Sequence, residues 1–228
     1  MTSLLNGIGG RTVVLAGATS ASGLALARTL LDAGARVVAT GRSAERLQPL
    51  ADAGAQVEVA DATSLDEMTA LAARLADTLG TVDTLGTVDA VVPLVGGWRG
   101  GGGLAGQSDD DLAALLPALQ AVRATSRAFD AALRASNAGR FAIVSSTAVG
   151  RPLAGGANYA AVKAASEAWT RAVAQGFAKS ARDAGEPLRA ASVVFRAKAL
   201  DPESLAPRIV ALWDADAADL NDRIIDLD

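Results

Sequence analysis

The sequence predicts a doubly wound α/β fold, one parallel sheet with helices on both faces. Three observations carry this expectation. Short β-branched runs alternate with stretches of helical apolar spacing along the whole chain. The runs are apolar on both faces rather than alternating, as strands covered on two sides must be. The 228 residues, 50% of them hydrophobic, suffice for a substantial core. A single domain over residues 1–228 is the expected organisation.

Each element has its own signal. Thr12 to Ala16 (TVVLA) reads as a first strand that runs into a glycine-bearing turn, Gly17 to Gly23. Leu24 to Ala33 then has helical spacing and stops at Gly34. Arg36 to Thr40 is a second strand, Ala44 to Ala53 a helix closed by Gly54, and Gln56 to Ala60 a third strand followed by Asp61. Leu65 to Leu79 reads as a helix and Val88 to Val95 as a fourth strand. Asp109 to Ala135 is a long helix capped by Ser108 or an adjacent Asp, and Phe141 to Ser145 is a fifth strand. Asn158 to Ala184 is a second long helix and Ala190 to Phe195 a sixth strand. A helix over about Leu205 to Ala215 and a strand over Arg223 to Leu227 close the chain.

Two stretches break this rhythm. The hexapeptide TLGTVD at Thr78 to Asp83 is repeated at Thr84 to Asp89, too short a unit for a solenoid, and reads as a duplicated turn before the fourth strand. Gly96 to Gly106 (GGWRGGGGLAG) follows a strand end and is expected to border a ligand site.

Composition removes whole classes of chemistry. With no Cys and no His there is no disulfide, no thiolate and no imidazole base or ligand, so catalysis must come from Ser, Tyr, Lys, Asp, Glu or Arg. The formal charge of −4 offers no basic field to a nucleic acid. No segment has the 18 or so apolar residues of a membrane helix, and the N-terminus lacks a signal-peptide pattern, so a cytoplasmic protein is expected.

Ligands of such sheets lie beyond the carboxyl ends of the strands. The first of these ends carries Gly17, Ala18, Thr19, Ser20, Ala21, Ser22 and Gly23, small residues that let backbone N–H groups at a helix N-terminus approach a pyrophosphate. About twenty residues later, an acid would select the ribose 2′-hydroxyl of NAD. Here the strand ends Ala39, Thr40, Gly41, Arg42, with no acid before Glu45, and Arg42 suits a 2′-phosphate, favouring NADP. The strongest local signal is Ser145 and Ser146 at a strand end, then Tyr159, the only tyrosine, and Lys163 four residues on. That spacing puts Tyr159 and Lys163 on one helical face. A phenol titrates near 10, so it exchanges protons near neutrality only beside a positive charge, which Lys163 supplies. Ser146 could hydrogen-bond a substrate oxygen on which charge develops.

Over nearly its whole length the chain resembles a short-chain dehydrogenase/reductase. The glycine turn at Gly17 to Gly23, Asp61 after the third strand, the fourth-strand end at Val92 to Gly96, and Ser146 with Tyr159 and Lys163 carry the resemblance. It implies a Rossmann-type domain and an NAD(P)-dependent enzyme, a ketoreductase, in which Tyr159 is the general acid/base, Lys163 lowers its pKa and holds the nicotinamide ribose, and Ser146 orients the substrate oxygen. It implies that Asp61 and Ala62 contact the adenine and that Gly17, Thr19, Ser20, Ser22, Gly23, Arg42, Val95 and Gly96 complete the cofactor site. It implies a small-molecule carbonyl or alcohol substrate and a homo-oligomer, a dimer or homotetramer, paired through the two long helices.

The chain departs from the family pattern at several places. The middle glycine of the turn is Ala21, the family's NNAG is Pro93, Leu94, Val95, Gly96, and its Pro-Gly after the sixth strand is Phe195, Arg196. Ala118, with Gln120 nearby, stands where the family has a proton-relay asparagine, and Lys198 to Ser204 is too short for a substrate lid. Trp98, Arg99, Val149, Leu153 and the glycine-rich stretch are expected to line the substrate pocket, which suggests a substrate with an apolar body and one polar or anionic group near Arg99. A non-catalytic nucleotide-binding protein, a redox sensor or scaffold, is the alternative function; non-redox chemistry such as dehalogenation would replace the lysine and fill the turn.

Overall fold

The computed structural model describes residues 7–79, 88–199 and 201–227. Seven parallel strands form one sheet: β1 (Thr12–Ala16), β2 (Arg36–Gly41), β3 (Gln56–Val59), β4 (Val88–Pro93), β5 (Arg140–Ser146), β6 (Ala191–Ala197) and β7 (Arg223–Asp226). Their order is β3-β2-β1-β4-β5-β6-β7, so the connection from β3 back to β4 crosses the sheet and leaves a switch point between β1 and β4. The helices are α1 (Ala21–Asp32), α2 (Ala44–Asp52), α3 (Leu65–Leu79), α4 (Asp109–Ala135), α5 (Ala157–Ala184), α6 (Pro202–Val210) and the one-turn α7 (Ala217–Leu220). Among the described residues, no helix is long and apolar enough to cross a membrane.

Successive strand residues face opposite sides of the sheet, and the core divides accordingly. Val13 and Leu15 pack with Leu26, Leu30, Leu47 and Ile209 under α1, α2 and α6. Val14 packs with Met68, Leu71, Phe129, Phe141 and Phe177 under α3, α4 and α5. Every one of these side chains is buried, which is why the strands read as apolar throughout.

Most element ends lie within a residue or two of the expected ones; the first and last full helices differ more. α1 begins at Ala21 rather than Leu24, because the Ser20 side chain accepts a hydrogen bond from Gly23 N at 3.1 Å and starts the helix inside the turn. α6 begins at Pro202, with Asp201 accepting from Glu203 N and Ser204 N, and gives way after Val210 to a single tight turn, Ala211–Trp213. Ser108 caps α4 as expected. Of the repeated hexapeptide, residues 80–87 lie outside the described residues; its final Asp89 sits in β4, accepting hydrogen bonds from Thr12 N at 2.9 Å and Ser136 Oγ at 2.6 Å.

Candidate active site

The carboxyl ends of β1, β2, β4 and β5 all open on the same edge of the sheet. At the β1 end, Ala18 N donates to Thr40 O and Gly17 N to Thr40 Oγ1, tying the turn to β2. Gly17 has φ +81°, and a Cβ there would lie 2.6 Å from Val95 Cγ2, so only glycine lets this turn meet the β4 end. A Cβ on Gly23 would come within 2.1 Å of Ala18 O. The turn is therefore a tight backbone cradle. Ser20 occupies Gly23 N, and the N–H groups of Ala21 and Ser22 remain at the open end of a twelve-residue helix, a geometry that fits a dinucleotide pyrophosphate.

Next to the cradle, Arg42 is exposed just past β2 and makes no ion pair among the described residues. Arg46, which the sequence reading passed over, donates from Nη2 to Thr19 O at 3.4 Å. A second cation therefore reaches the turn at Thr19 from the first turn of α2, while Arg42 stands exposed at the β2 end. Asp61 sits past β3, its Oδ1 accepting from Thr63 N and Thr63 Oγ1 at 2.9 and 2.8 Å, and Ala62 beside it is buried.

A cleft of about 1190 Å³ opens between the β4 end, the β5 end and the start of α5. Ser146, Tyr159, Lys163, Val95 and Gly96 all line it, so these expected site residues are brought together. Gly17, Thr19, Ser20, Ser22, Gly23, Arg42, Asp61 and Ala62 are not in its lining; they continue along the strand ends on the β1 side. Trp98 and Leu153 line the cleft as expected, whereas Arg99 and Val149 do not. Arg99 instead turns back to donate to Trp98 O at 3.1 Å, and the arginine in the wall is Arg151. Lys198 and Ala199 also line the cleft, so the short connection before α6 does more than join two elements.

Ser146 ends β5, its Oγ accepting from Ala148 N at 3.2 Å. Tyr159 is half-buried against Leu115, Ala118 and Val162, and its hydroxyl makes no hydrogen bond among the described residues. Lys163 Nζ donates to Val144 O at 2.8 Å and lies 5.7 Å from the centroid of the Tyr159 ring. Burial pushes the Lys163 ammonium down to about 8, while the Glu167 charge opposes the shift. Glu167 is buried one turn further along α5, bonded to Ser145 Oγ at 2.6 Å and to Arg196 through both its oxygens. Ala118 touches the same cluster as Tyr159, whereas Gln120, two residues on, is exposed and turned away from the cleft.

The short chain dehydrogenase family model matches residues 11–181, three quarters of the chain. The chain belongs to the short-chain dehydrogenase family. This dehydrogenase shares its fold with an oxidoreductase, yciK, from E. coli, at TM-score 0.81 and 19% identity over 98% of this chain and 97% of that one. A short chain dehydrogenase from Salmonella enterica gives TM-score 0.81 at 19% identity over 100% and 99%. A metagenomic short-chain oxidoreductase in complex with NADP gives 0.76 at 24% over 96% and 98%. No curated protein matches the dehydrogenase. As a family member it is an NAD(P)-dependent enzyme acting on a small molecule.

Proposed function

We propose that the protein is an NADP-dependent oxidoreductase that moves hydride between nicotinamide and the carbon of a carbonyl or alcohol through Ser146, Tyr159 and Lys163. The observation that carries this reading is the meeting of these three side chains in one cleft, beside a glycine cradle at the neighbouring strand end. Structures of relatives at 18–24% identity hold NADP or NADPH, which supports the cofactor. In this chain Gly17, Thr19, Ser20, Ser22 and Gly23 would hold the pyrophosphate side, Arg42 the 2′-phosphate, Asp61 and Ala62 the adenine, and Val95, Gly96, Tyr159 and Lys163 the nicotinamide half.

When bound, the cofactor supplies or accepts the hydride. In reduction, Tyr159 hands the phenol proton to the carbonyl oxygen as the carbon gains hydride, and in oxidation it takes that proton back. Lys163 stabilises the phenolate by its charge, and the Val144 carbonyl fixes where that charge sits. Ser146, whose Oγ already accepts from Ala148 N, keeps its own proton for the substrate oxygen. The reading includes a cytoplasmic location and a homo-oligomer built on α4 and α5; light scattering at the 22.9 kDa of a monomer would remove the latter.

The test is NADPH oxidation against a panel of aldehydes and ketones, with Tyr159→Phe as the control. The variant should keep NADPH binding and lose turnover by about a hundredfold or more, the usual size of one general acid. Normal carbonyl reduction by Tyr159→Phe would overturn the mechanism.

A further inference from the structure

The glycine-rich stretch after β4 is held by one side chain. Gln107 Nε2 lies 3.1 Å from Gly101 O, 3.2 Å from Gly103 O and 3.1 Å from Gly155 O, sharing its two protons among three carbonyls. Its Oε1 accepts from Asn158 N at 3.1 Å, in the first turn of α5 and next to Tyr159. Gly101 N donates to Gly155 O at 2.7 Å, and Asn158 Nδ2 donates to Ser108 O at 3.0 Å, so the contact continues on both sides of Gln107. Residues 97–107 and 153–158 are thereby joined into one unit at the rim of the cleft.

That unit carries large apolar side chains facing water. Trp98 is 61% exposed and Leu153 68% exposed, and both line the cleft; Leu104, on the same loop, is 71% exposed. Holding a tryptophan and a leucine in water at the mouth of a reaction site is unfavourable unless something apolar covers them. A loop with five glycines between residues 97 and 103 carries a large entropic cost of ordering, which the Gln107 contacts offset together with the Gly101 N to Gly155 O bond.

We propose that Gln107 is a positioning residue that clasps the glycine-rich loop to the start of α5 and so fixes Trp98 and Leu153 as the walls of a site for carbonyl substrates with a bulky apolar body. The inference rests on the oxidoreductase reading for the word carbonyl; the clasp itself rests on the hydrogen bonds. Ordering the loop before substrate arrives removes an entropic cost from binding, so its loss should appear in KM more than in kcat, and most where the substrate reaches both walls.

The experiment compares the full-length protein with Gln107→Ala and Gln107→Glu, using NADPH with 2-acetonaphthone and with butanone. Gln107→Glu keeps an acceptor for Asn158 N but loses the amide protons. Both variants should lower the naphthyl-to-butanone ratio of kcat/KM by about tenfold through KM, and amide exchange in residues 97–106 should accelerate by at least about tenfold. A ratio within twofold of wild type would overturn the assignment of specificity, and unchanged exchange would overturn the clasp. If wild type reduces neither ketone while the exchange result holds, the failure belongs to the oxidoreductase reading, and binding of 2-acetonaphthone, followed by quenching of tryptophan emission, decides the apolar site: no binding by wild type, or equal binding by Gln107→Ala, sinks it.

Discussion

Arg196 grips Glu167 with two nitrogens, Nε to Oε1 at 2.8 Å and Nη2 to Oε2 at 2.6 Å, one helical turn beyond Lys163. The arginine replaces the second residue of the family's Pro-Gly pair, and β6 stays paired with β5 as far as Ser146 and Ala197. Glu167 is buried while the Arg196 side chain keeps 23% exposure. Removing one partner strands the other with its desolvation uncompensated. Glu167→Gln should therefore cost about 2–3 kcal/mol in urea unfolding, at the low end for a buried pair because Arg196 reaches water. Adding Arg196→Met to it should cost less than the sum of the two single changes, a coupling that a double-mutant cycle reads directly. Strict additivity would show that the pair is not energetically joined.

Lys163 gives the protein a pH signature. Burial lowers its folded-state value to about 8, against 10.5 for a free lysine, so between those values the unfolded chain binds more protons than the native one. Stability contributed by this residue is accordingly poorest below pH 8 and recovers as pH rises towards 10.5. Urea midpoints at pH 7 and pH 9.5 should show wild type gaining relative to Lys163→Met, which has no proton to lose. Carbonyl reduction should run the other way, falling above about pH 8 as the charge beside Tyr159 disappears. Parallel pH curves for the two proteins in unfolding would remove the buried ammonium from the account.

Cofactor choice should be carried by Arg42 and, behind it, Arg46. A charge-assisted contact to a 2′-phosphate is worth enough that Arg42→Ala should weaken NADPH binding by about tenfold while leaving NADH within twofold. Arg46→Ala, which also frees Thr19 O, should weaken both cofactors. Equal loss for NADPH and NADH on Arg42→Ala would take the 2′-phosphate away from it.

Strand identity, order of elements and the Ser146, Tyr159, Lys163 grouping were legible because each depends on local patterns: apolar runs, caps, and an i, i+4 spacing. The start of α6 was legible too, in the Asp201-Pro202 cap, but the apolar periodicity that begins at Leu205 drew the boundary downstream. Which loop cations face the cleft was not legible, since nothing in the sequence announces that Arg99 turns back to the Trp98 carbonyl while Arg151 and Lys198 line the wall. Gln107 was equally hidden: its four partners are all backbone groups at least four residues away, and no spacing in the sequence announces them.

Ala118 decides how far the proton path can resemble the family's. It is buried, packed with Leu115, Val162 and Tyr159, and a Cβ on Gly96 would meet its Cβ at 3.7 Å, so the residue in the relay asparagine's place lies between Tyr159 and Gly96. Gln120 cannot replace it, because two residues along a helix is about 200° of rotation and the side chain lies in solvent. Gln120→Ala should leave rate and pH profile as they are. Ala118→Asn adds an amide beside Gly96, where the facing residue has no side chain, so it should raise turnover or leave it unchanged, with a stability cost of about 1 kcal/mol or more for burying the amide. If Gln120→Ala slows the enzyme, the helix must turn differently around Ala118. If Ala118→Asn folds normally and abolishes turnover, the space beside Gly96 belongs to the substrate or cofactor rather than to a proton path.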